Sequence, residues 1–128
     1  MSSSPSKPRP DLAQGATGPR AEALAADYLA RRGLTIVGRN FRTRFGEIDL
    51  IARDGRTLVF VEVRMRRSLR FGGAVESISA AKRERMIAAA NGYLATLGRE
   101  PPCRFDAILM QHLDAASIDW RRDILAVD

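Results

Sequence analysis

The 128-residue chain is long enough for one domain with a modest core, and its single cysteine, Cys103, excludes an intramolecular disulfide. It has no apolar signal-peptide core and no run near the ~20 apolar residues of a membrane span, so we expect a cytoplasmic protein without a membrane partner. Residues 31–70 hold eleven arginines and four acids, a charge of +7 against +6 for the whole chain. Such clustering indicates a nucleic acid partner, with a generally arginine-rich, solvated surface as the alternative.

The chain begins with a segment rich in Ser, Pro and Gly, residues 1–18, which cannot bury enough apolar surface to offset the entropy of ordering. We therefore predict a flexible tail, followed by one domain over residues 19–128. Apolar residues then recur at helical spacing from Pro19 to the stop at Gly33, which predicts a first helix. At ~100° per residue, Glu22 falls at the edge of the apolar stripe, where it can reach the end of whatever the helix packs against.

Three strands are predicted next. Residues 34–41 form the first, and two apolar-rich runs flanking Asp54-Gly55 form a hairpin, because an Asp-Gly pair favours a two-residue loop. A second helix is capped by Ser79 and ends at Gly98, and the strand RFDAILM follows. Residues 117–121 are a candidate fifth strand. This order, α-β-β-β-α-β, allows the third and fourth strands to pair in parallel across the second helix.

The loop position sets the pairing of the hairpin strands. With Asp54-Gly55 as the loop, Glu47 is predicted to lie opposite Glu62, and Asp49 opposite Phe60. Side chains alternate along a strand, so one hairpin face is almost wholly apolar and should pack on a helix. Its members are Ile48, Leu50, Ala52, Thr57, Val59, Val61 and Val63.

The opposite hairpin face carries charged side chains at its end far from the turn, namely Glu47, Asp49, Glu62 and Arg64. Carboxylates held this close together repel one another. A divalent cation relieves the repulsion, and Mg²⁺ is held in proteins by one or two carboxylates with waters and phosphate oxygens. The pattern indicates a hard-metal site beside an arginine. A surface network in which arginines neutralise the carboxylates is the alternative.

The motifs GEIDLIA, FVEV and RFD, with the two helices, resemble the YraN-like family of small uncharacterised bacterial proteins over roughly residues 15–121. The resemblance implies a restriction-endonuclease-like fold similar to that of Holliday-junction resolvases, an α/β domain with an αβββαβ core and a mixed central sheet flanked by helices. It also implies a PD-(D/E)xK site, with an acid on the first helix, Asp on the second strand and Glu-x-Lys on the third. The matching residues are Glu22, Asp49, Glu62 and, in place of the lysine, Arg64.

The activity that the resemblance implies is endonucleolytic hydrolysis of phosphodiester bonds in DNA, with branched or damaged DNA as candidate substrates. Asp49, Glu62 and Arg64 are the predicted catalytic residues. The predicted ligands of Mg²⁺ (or Mn²⁺) are Asp49, Glu62, Glu22 and Glu47, and such an ion activates a water and polarises the phosphoryl group. DNA is favoured over RNA as the partner, and analogy with resolvases suggests a homodimer.

Contacts to the nucleic acid backbone are predicted from basic residues around this site, namely Arg42, Arg44, Arg66, Arg67, Arg70 and Lys82. Lys82 lies in the first turn of the second helix, where an ordinary solvated residue is the alternative. The flexible loop predicted at Gly72-Gly73 is a further candidate for such backbone contacts, with a solvated linker as the alternative. Aromatic residues are candidates for stacking on bases, with simple packing as the alternative; they are Phe41, Phe45, Phe71 and Trp120. His112 and Cys103 have no metal-ligand partner at motif spacing.

Arg64 departs from the lysine of the family motif. Arginine stays protonated and presents a rigid fork, whereas a lysine can titrate and take part in proton transfer. A nuclease-fold module that binds nucleic acid without cutting it is therefore the alternative function. A third hypothesis is an adaptor whose basic face binds an acidic protein.

Overall fold

The computed structural model describes residues 18–65 and 78–125. Its elements in chain order are α1 (Pro19–Arg31), β1 (Thr35–Thr43), β2 (Gly46–Asp54), β3 (Thr57–Met65), α2 (Ala80–Leu97), β4 (Cys103–Met110), a short 3-10 helix (Ala115–Ser117) and β5 (Asp119–Arg121). The predicted tail, apart from Gly18, lies outside the described residues. So do Arg66, Arg67, Arg70, Phe71 and the Gly72-Gly73 loop.

The five strands form one mixed sheet in the order β1-β2-β3-β4-β5. The pairs β1–β2, β2–β3 and β4–β5 are antiparallel, whereas β3 and β4 are parallel. The parallel pair is the one that α2 connects, as predicted from the element order. The α/β class and the αβββαβ core are thus confirmed.

The two helices cover opposite faces of the sheet. Buried alanines of α1 and Leu29 pack on the face formed by Leu50, Val61 and their neighbours. On the other face α2 packs on Phe60 through an apolar stripe; it consists of Met86, Ala89, Ala90, Tyr93, Leu94 and Leu97. Because α1 presents small side chains, its axis can approach the sheet closely.

The predicted helix ends are confirmed. Pro19 is the first residue of α1, and Gly33 follows the helix with a left-handed φ of 98°. Ser79 caps α2, since its Oγ accepts a hydrogen bond from the Lys82 amide at 3.1 Å, and Gly98 ends the helix with φ 71°. None of the helices in the described ranges is long and apolar enough to cross a bilayer.

The predicted register of the β2–β3 hairpin is wrong by two residues. Asp54 pairs with Thr57 and Ile51 pairs with Phe60, so the loop is Gly55-Arg56 instead of Asp54-Gly55. Gly55 takes φ 63° and Arg56 has no positive φ, which is the sign pattern of a type II′ turn with glycine first. A shift of two keeps each side chain on its predicted face.

One side chain changes face. Ile48 was predicted beside Leu50, but it packs with Ile51 and Phe60 in the α2 layer. Regular alternation breaks at Asp49, where Asn40 on the facing strand β1 adopts a left-handed φ of 51°. This local departure from the pleat moves Ile48 to the other layer.

The RFD motif has a structural role. Asp106 is fully buried, and both its oxygens accept from Nε of Arg104, at 3.0 and 3.2 Å. Oδ2 also accepts from Nε1 of Trp120 at 3.0 Å, and Oδ1 from the Asp123 amide at 2.9 Å. Arg104 reaches back to Asp54 at 3.1 Å. The motif therefore joins β4 to β5 and to the segment after it.

Candidate active site

Asp49 and Glu62 come from the two adjacent strands of the hairpin. The ladder pairs Leu50 with Val61, and the same register continued by one residue sets Asp49 beside Glu62. The Val63 amide donates a hydrogen bond to Oδ2 of Asp49 at 2.8 Å, which fixes that carboxylate against β3. The predicted pairing of Glu47 with Glu62 and of Asp49 with Phe60 is wrong, and the true register brings the two motif acids closer together.

Glu62 is buried and is held by two cations. Its side chain is 4% exposed, and Oε2 lies 3.1 Å from Nη1 of Arg64 and 3.4 Å from Nζ of Lys82. Arg64 projects from the same strand two residues further on, whereas Lys82 comes from the first turn of α2. A buried carboxylate without such partners would be strongly unfavourable. Lys82 thus contacts the candidate site through Glu62 instead of extending fully into solvent.

Asp49 has an unfavourable electrostatic environment. Burial raises the pKa of its carboxyl well above the usual value, and the negative charges of Glu62 and then Glu22 raise it further. The hydrogen bond from Val63 and the charge of Lys82 act in the opposite direction. Two acids on neighbouring strands therefore compete for the same local positive charge, which is typical of functional sites.

Glu22 reaches the site from α1, as its place at the edge of the apolar stripe predicts. It is 8% exposed, and burial raises the pKa of its carboxyl. A hydrogen bond with the Asn40 side chain and the charge of Arg42 partly offset that rise. The β1–β2 register places Asn40 opposite Asp49, and the Asn40 side chain bonds to Glu22. Asn40, with its left-handed backbone, therefore lies between Glu22 and Asp49. No sequence motif pointed to Asn40.

The remaining predicted residues that the structure describes, Glu47, Arg42 and Arg44, are at the surface. Glu47 pairs with Arg42 in the β1–β2 ladder, with Nε and Oε1 3.5 Å apart and both side chains well exposed. The charge of Glu47 raises the pKa of Glu22, so it lies near the helix acid. Arg44 is exposed at the turn that joins β1 to β2, with its guanidinium over the ring of Phe45.

The donor set fits a small hard cation that also takes oxygens from a substrate. Within residues 18–65 and 78–125, no three His, Cys, Asp or Glu side chains converge closely enough to hold a metal by themselves. In the same ranges, the Val63 amide contacts Oδ2 of Asp49, and Arg64 and Lys82 both contact Oε2 of Glu62. Two carboxylates completed by waters and phosphate oxygens suit Mg²⁺.

This is therefore an α/β protein whose mixed sheet carries, at one end, paired acids flanked by an arginine and a lysine. The chain belongs to the uncharacterised protein family UPF0102, the YraN family, whose model matches residues 21–110. The matched range contains Glu22, Asp49, Glu62, Arg64 and Lys82. The expected family is confirmed, and the restriction-endonuclease-like core is compatible with the observed topology.

The chain is also similar to individual members of that family. It is 54% identical over 106 residues to a UPF0102 protein of Methylobacillus flagellatus, covering 83% of this chain and 93% of that protein. A UPF0102 protein of Nitrosospira multiformis is 50% identical over 111 residues, with coverage of 87% and 93%. One from Nitrosomonas europaea is 51% identical over 109 residues, with coverage of 85% and 92%.

Proposed function

We propose that the protein binds DNA and hydrolyses its phosphodiester bonds in a reaction that depends on Mg²⁺ or Mn²⁺. The observation that carries this proposal is the pair formed by Asp49 and Glu62, set side by side on β2 and β3 and surrounded by Glu22, Arg64 and Lys82. An acid pair that repels itself, next to two cations suited to phosphate, is the arrangement that metal-assisted phosphoryl chemistry requires.

Each side chain has a role in this proposal. Asp49 and Glu62 would hold the metal ion, which when bound polarises a phosphoryl oxygen and acidifies a coordinated water. Arg64 neutralises charge on the phosphoryl oxygens as the bond breaks. Glu22, whose pKa is raised by burial, orients a water or supports the ion from the side of α1.

Lys82 compensates for the missing motif lysine in this proposal. Its Nζ lies 3.4 Å from Glu62 Oε2, on the same oxygen that Arg64 contacts. A lysine can exchange a proton in a way that an arginine cannot. In this proposal Lys82 supplies the ammonium group that the motif lysine would bring, and Arg64 supplies a fixed guanidinium beside it.

A specific observation also favours the second candidate, a module that binds nucleic acid without cutting it. Arg64 occupies the motif position and forms an ion pair with Glu62 at 3.1 Å. If that pair persists when a substrate binds, Glu62 has less charge to offer a metal ion. Both candidates share DNA as the partner in preference to RNA, a cytoplasmic location and a homodimer as the proposed assembly.

A cleavage screen tests the proposal. Linear, single-stranded, damaged and four-way branched DNA would be incubated with Mg²⁺, Mn²⁺ or a chelator and each of five proteins, which are the wild type, Asp49→Ala, Arg64→Lys, Lys82→Gln and Arg83→Gln. We expect metal-dependent cutting by the wild type, none by Asp49→Ala, and a loss of about 10²-fold in Lys82→Gln. Arg83→Gln, an exposed neighbour on the same turn, is the matched control and should cut normally.

The outcomes separate the two candidates. Binding without cutting by the wild type, with cutting gained in Arg64→Lys, would identify the non-cutting module and trace the loss to one side chain. Cutting that survives in Asp49→Ala would place the chemistry elsewhere or in a contaminant. Neither binding nor cutting on any substrate would refute both candidates.

A further inference from the structure

Phe45 is a large apolar side chain displayed in water at the turn between β1 and β2. Phe45 is 66% exposed, which is more than any other large apolar residue in the described ranges. The ring therefore does not belong to the core, so core packing does not account for this residue. Isolated exposed apolar groups are common, so the surroundings of Phe45 must decide whether it has a function.

The turn that carries Phe45 is held rigidly. The hydroxyl of Thr43 accepts hydrogen bonds from the amides of Phe45 and Gly46, at 3.0 and 3.1 Å. Gly46 lies so close to α2 that a β-carbon there would collide with the Arg85 carbonyl. On the other side of the turn, the Thr43 methyl faces Gly92 of α2. A ring on a fixed backbone loses little entropy when it binds a ligand.

Basic residues accompany the ring. The guanidinium of Arg44 lies 5.3 Å from its centroid. Arg42 is exposed three residues earlier on β1, and Arg85 is exposed on α2, where its backbone approaches Gly46. Glu47 is an acid on this side of the hairpin, and Arg42 pairs with it. Aromatic rings set among basic side chains are the usual platform for single-stranded nucleic acid, because the ring stacks on a base while the cations follow the backbone.

Phe45 also lies within reach of the candidate active site. It precedes Asp49 by four residues along the same stretch of chain, a distance of about 13 Å at the rise of an extended strand. That separation corresponds to about four nucleotides at ~3.4 Å per nucleotide of a stacked strand. One strand can therefore lie across both positions.

We propose that Phe45 stacks on an unpaired base and so makes the protein select DNA with unpaired bases close to the bond to be cut, such as single strands, gaps and branch points. This inference rests on the proposed function, since it assigns a substrate class to the same site. In an intact duplex the bases already stack on one another, and a ring gains a partner only after a step is unstacked at a cost of a few kcal/mol.

Equilibrium binding measures the selectivity. Fluorescence anisotropy would be recorded with one sequence prepared as a single strand, a gapped duplex and a full duplex, using the wild type, Phe45→Ala, Phe45→Trp and Val37→Ala. We expect Phe45→Ala to weaken binding to the single-stranded and gapped probes by roughly tenfold or more, and to the duplex much less. Phe45→Trp should retain the preference. Val37→Ala, an exposed apolar residue at the far end of β1, should leave all affinities unchanged.

A second readout reports stacking directly. With 2-aminopurine at the unpaired position, binding of the wild type should quench its fluorescence, and binding of Phe45→Ala should quench it far less. Phe45→Ala should have the same Tm as the wild type because the ring is exposed. A folding defect would therefore not explain a loss of binding or of quenching.

The results distinguish this inference from the proposed function. Equal affinities of wild type and Phe45→Ala, or an equal loss on all three probes, would overturn stacking even if Asp49-dependent cutting is present. A selective loss without any cutting would support stacking and reject catalysis. Absence of binding to every probe would overturn both.

Discussion

Three carboxylates in the described part of the chain are almost completely shielded from water, and each is stabilised differently. Asp106 accepts hydrogen bonds on both oxygens and is fully satisfied. Glu62 forms ion pairs with two cations through one oxygen, and Glu22 forms a hydrogen bond with the side chain of Asn40. Asp49 is less buried than these but sits between Glu62 and Glu22, whose charges raise its pKa. The structural acid, Asp106, has hydrogen-bond partners on both oxygens, whereas the candidate functional acids lie close enough for their charges to repel one another.

The pH dependence of stability tests that repulsion. Burial and the Glu62 charge raise the pKa of Asp49, so the folded state resists ionisation of this carboxyl more than the unfolded chain does. The stability linked to this group is therefore fully present below about pH 4, near the unfolded pKa, and is lost as pH rises through the folded pKa. Asp49→Asn replaces the carboxyl by a group that does not ionise, so the loss of stability at higher pH should disappear. We expect it to raise the Tm by about 3 °C or more at pH 7 and to change it little near pH 3.5.

The measurement is thermal unfolding followed by circular dichroism in metal-free buffer across this pH range. Asp27→Asn is the control, because Asp27 is an exposed carboxylate paired with Arg31 on α1 and should not raise the Tm at either pH. A lower Tm for Asp49→Asn at neutral pH would show that the Asp49 carboxylate stabilises the fold, contrary to this account.

At the scale of single elements, the turn between β1 and β2 depends on close contact with α2. A β-carbon on Gly46 would collide with the Arg85 carbonyl, which belongs to helix backbone and cannot rotate away. We expect Gly46→Ala to lower the free energy of unfolding by roughly 1–3 kcal/mol, as measured by urea denaturation. Gly38→Ala is the matched control on β1, since its β-carbon would meet Ile51 at 3.7 Å, an ordinary contact. Equal losses in the two variants would contradict the collision.

Most of the elements could be predicted from the sequence because their signals are local. The helix ends at Pro19, Ser79 and Gly98 follow from the chemistry of single residues. The placement of Asp49 and Glu62 on one face depends only on alternation and a two-residue loop. Both Asp54-Gly55 and Gly55-Arg56 are two-residue loops, so the faces of the hairpin side chains other than Ile48 were predictable and the register was not.

Other features of the site arise from tertiary contacts that leave no local signal. The ion pair between Lys82 and Glu62 depends on how α2 meets the end of β3. The left-handed Asn40 depends on the distortion of β1 opposite Asp49. The exposure of Phe45 depends on the turn being clamped to the helix, and its sequence context was equally compatible with burial.

At the scale of the whole molecule, Asp106 connects β4, β5 and the segment that follows. The carboxylate is fully buried, and its partners include Arg104, Trp120 and the Asp123 amide. We expect Asp106→Asn, which preserves shape but removes the charge, to cost about 3 kcal/mol or more in the free energy of unfolding. The expected loss would be measured by urea denaturation.

The control for this prediction is an ion pair of the same design at the surface. Asp119 accepts from Nε of Arg121 at 2.8 Å, also two residues apart, but both side chains are more than 40% exposed. Asp119→Asn should therefore cost at most about 1 kcal/mol. Similar losses for the two substitutions would mean that burial of Asp106 adds nothing to its contribution.

The irregular backbone of β1 has a consequence for how copies of the protein meet. Within the described ranges β1 and β5 are the edge strands of the sheet, and β5 has three residues. The nine-residue β1 is interrupted by a register shift between Ile36 and Gly38 and by the left-handed Asn40. Such breaks prevent a second strand from adding in regular register. The distortion at Asn40, whose side chain bonds to Glu22, therefore makes β1 a poor template for edge-to-edge pairing. We expect the proposed homodimer to use helices or loops instead.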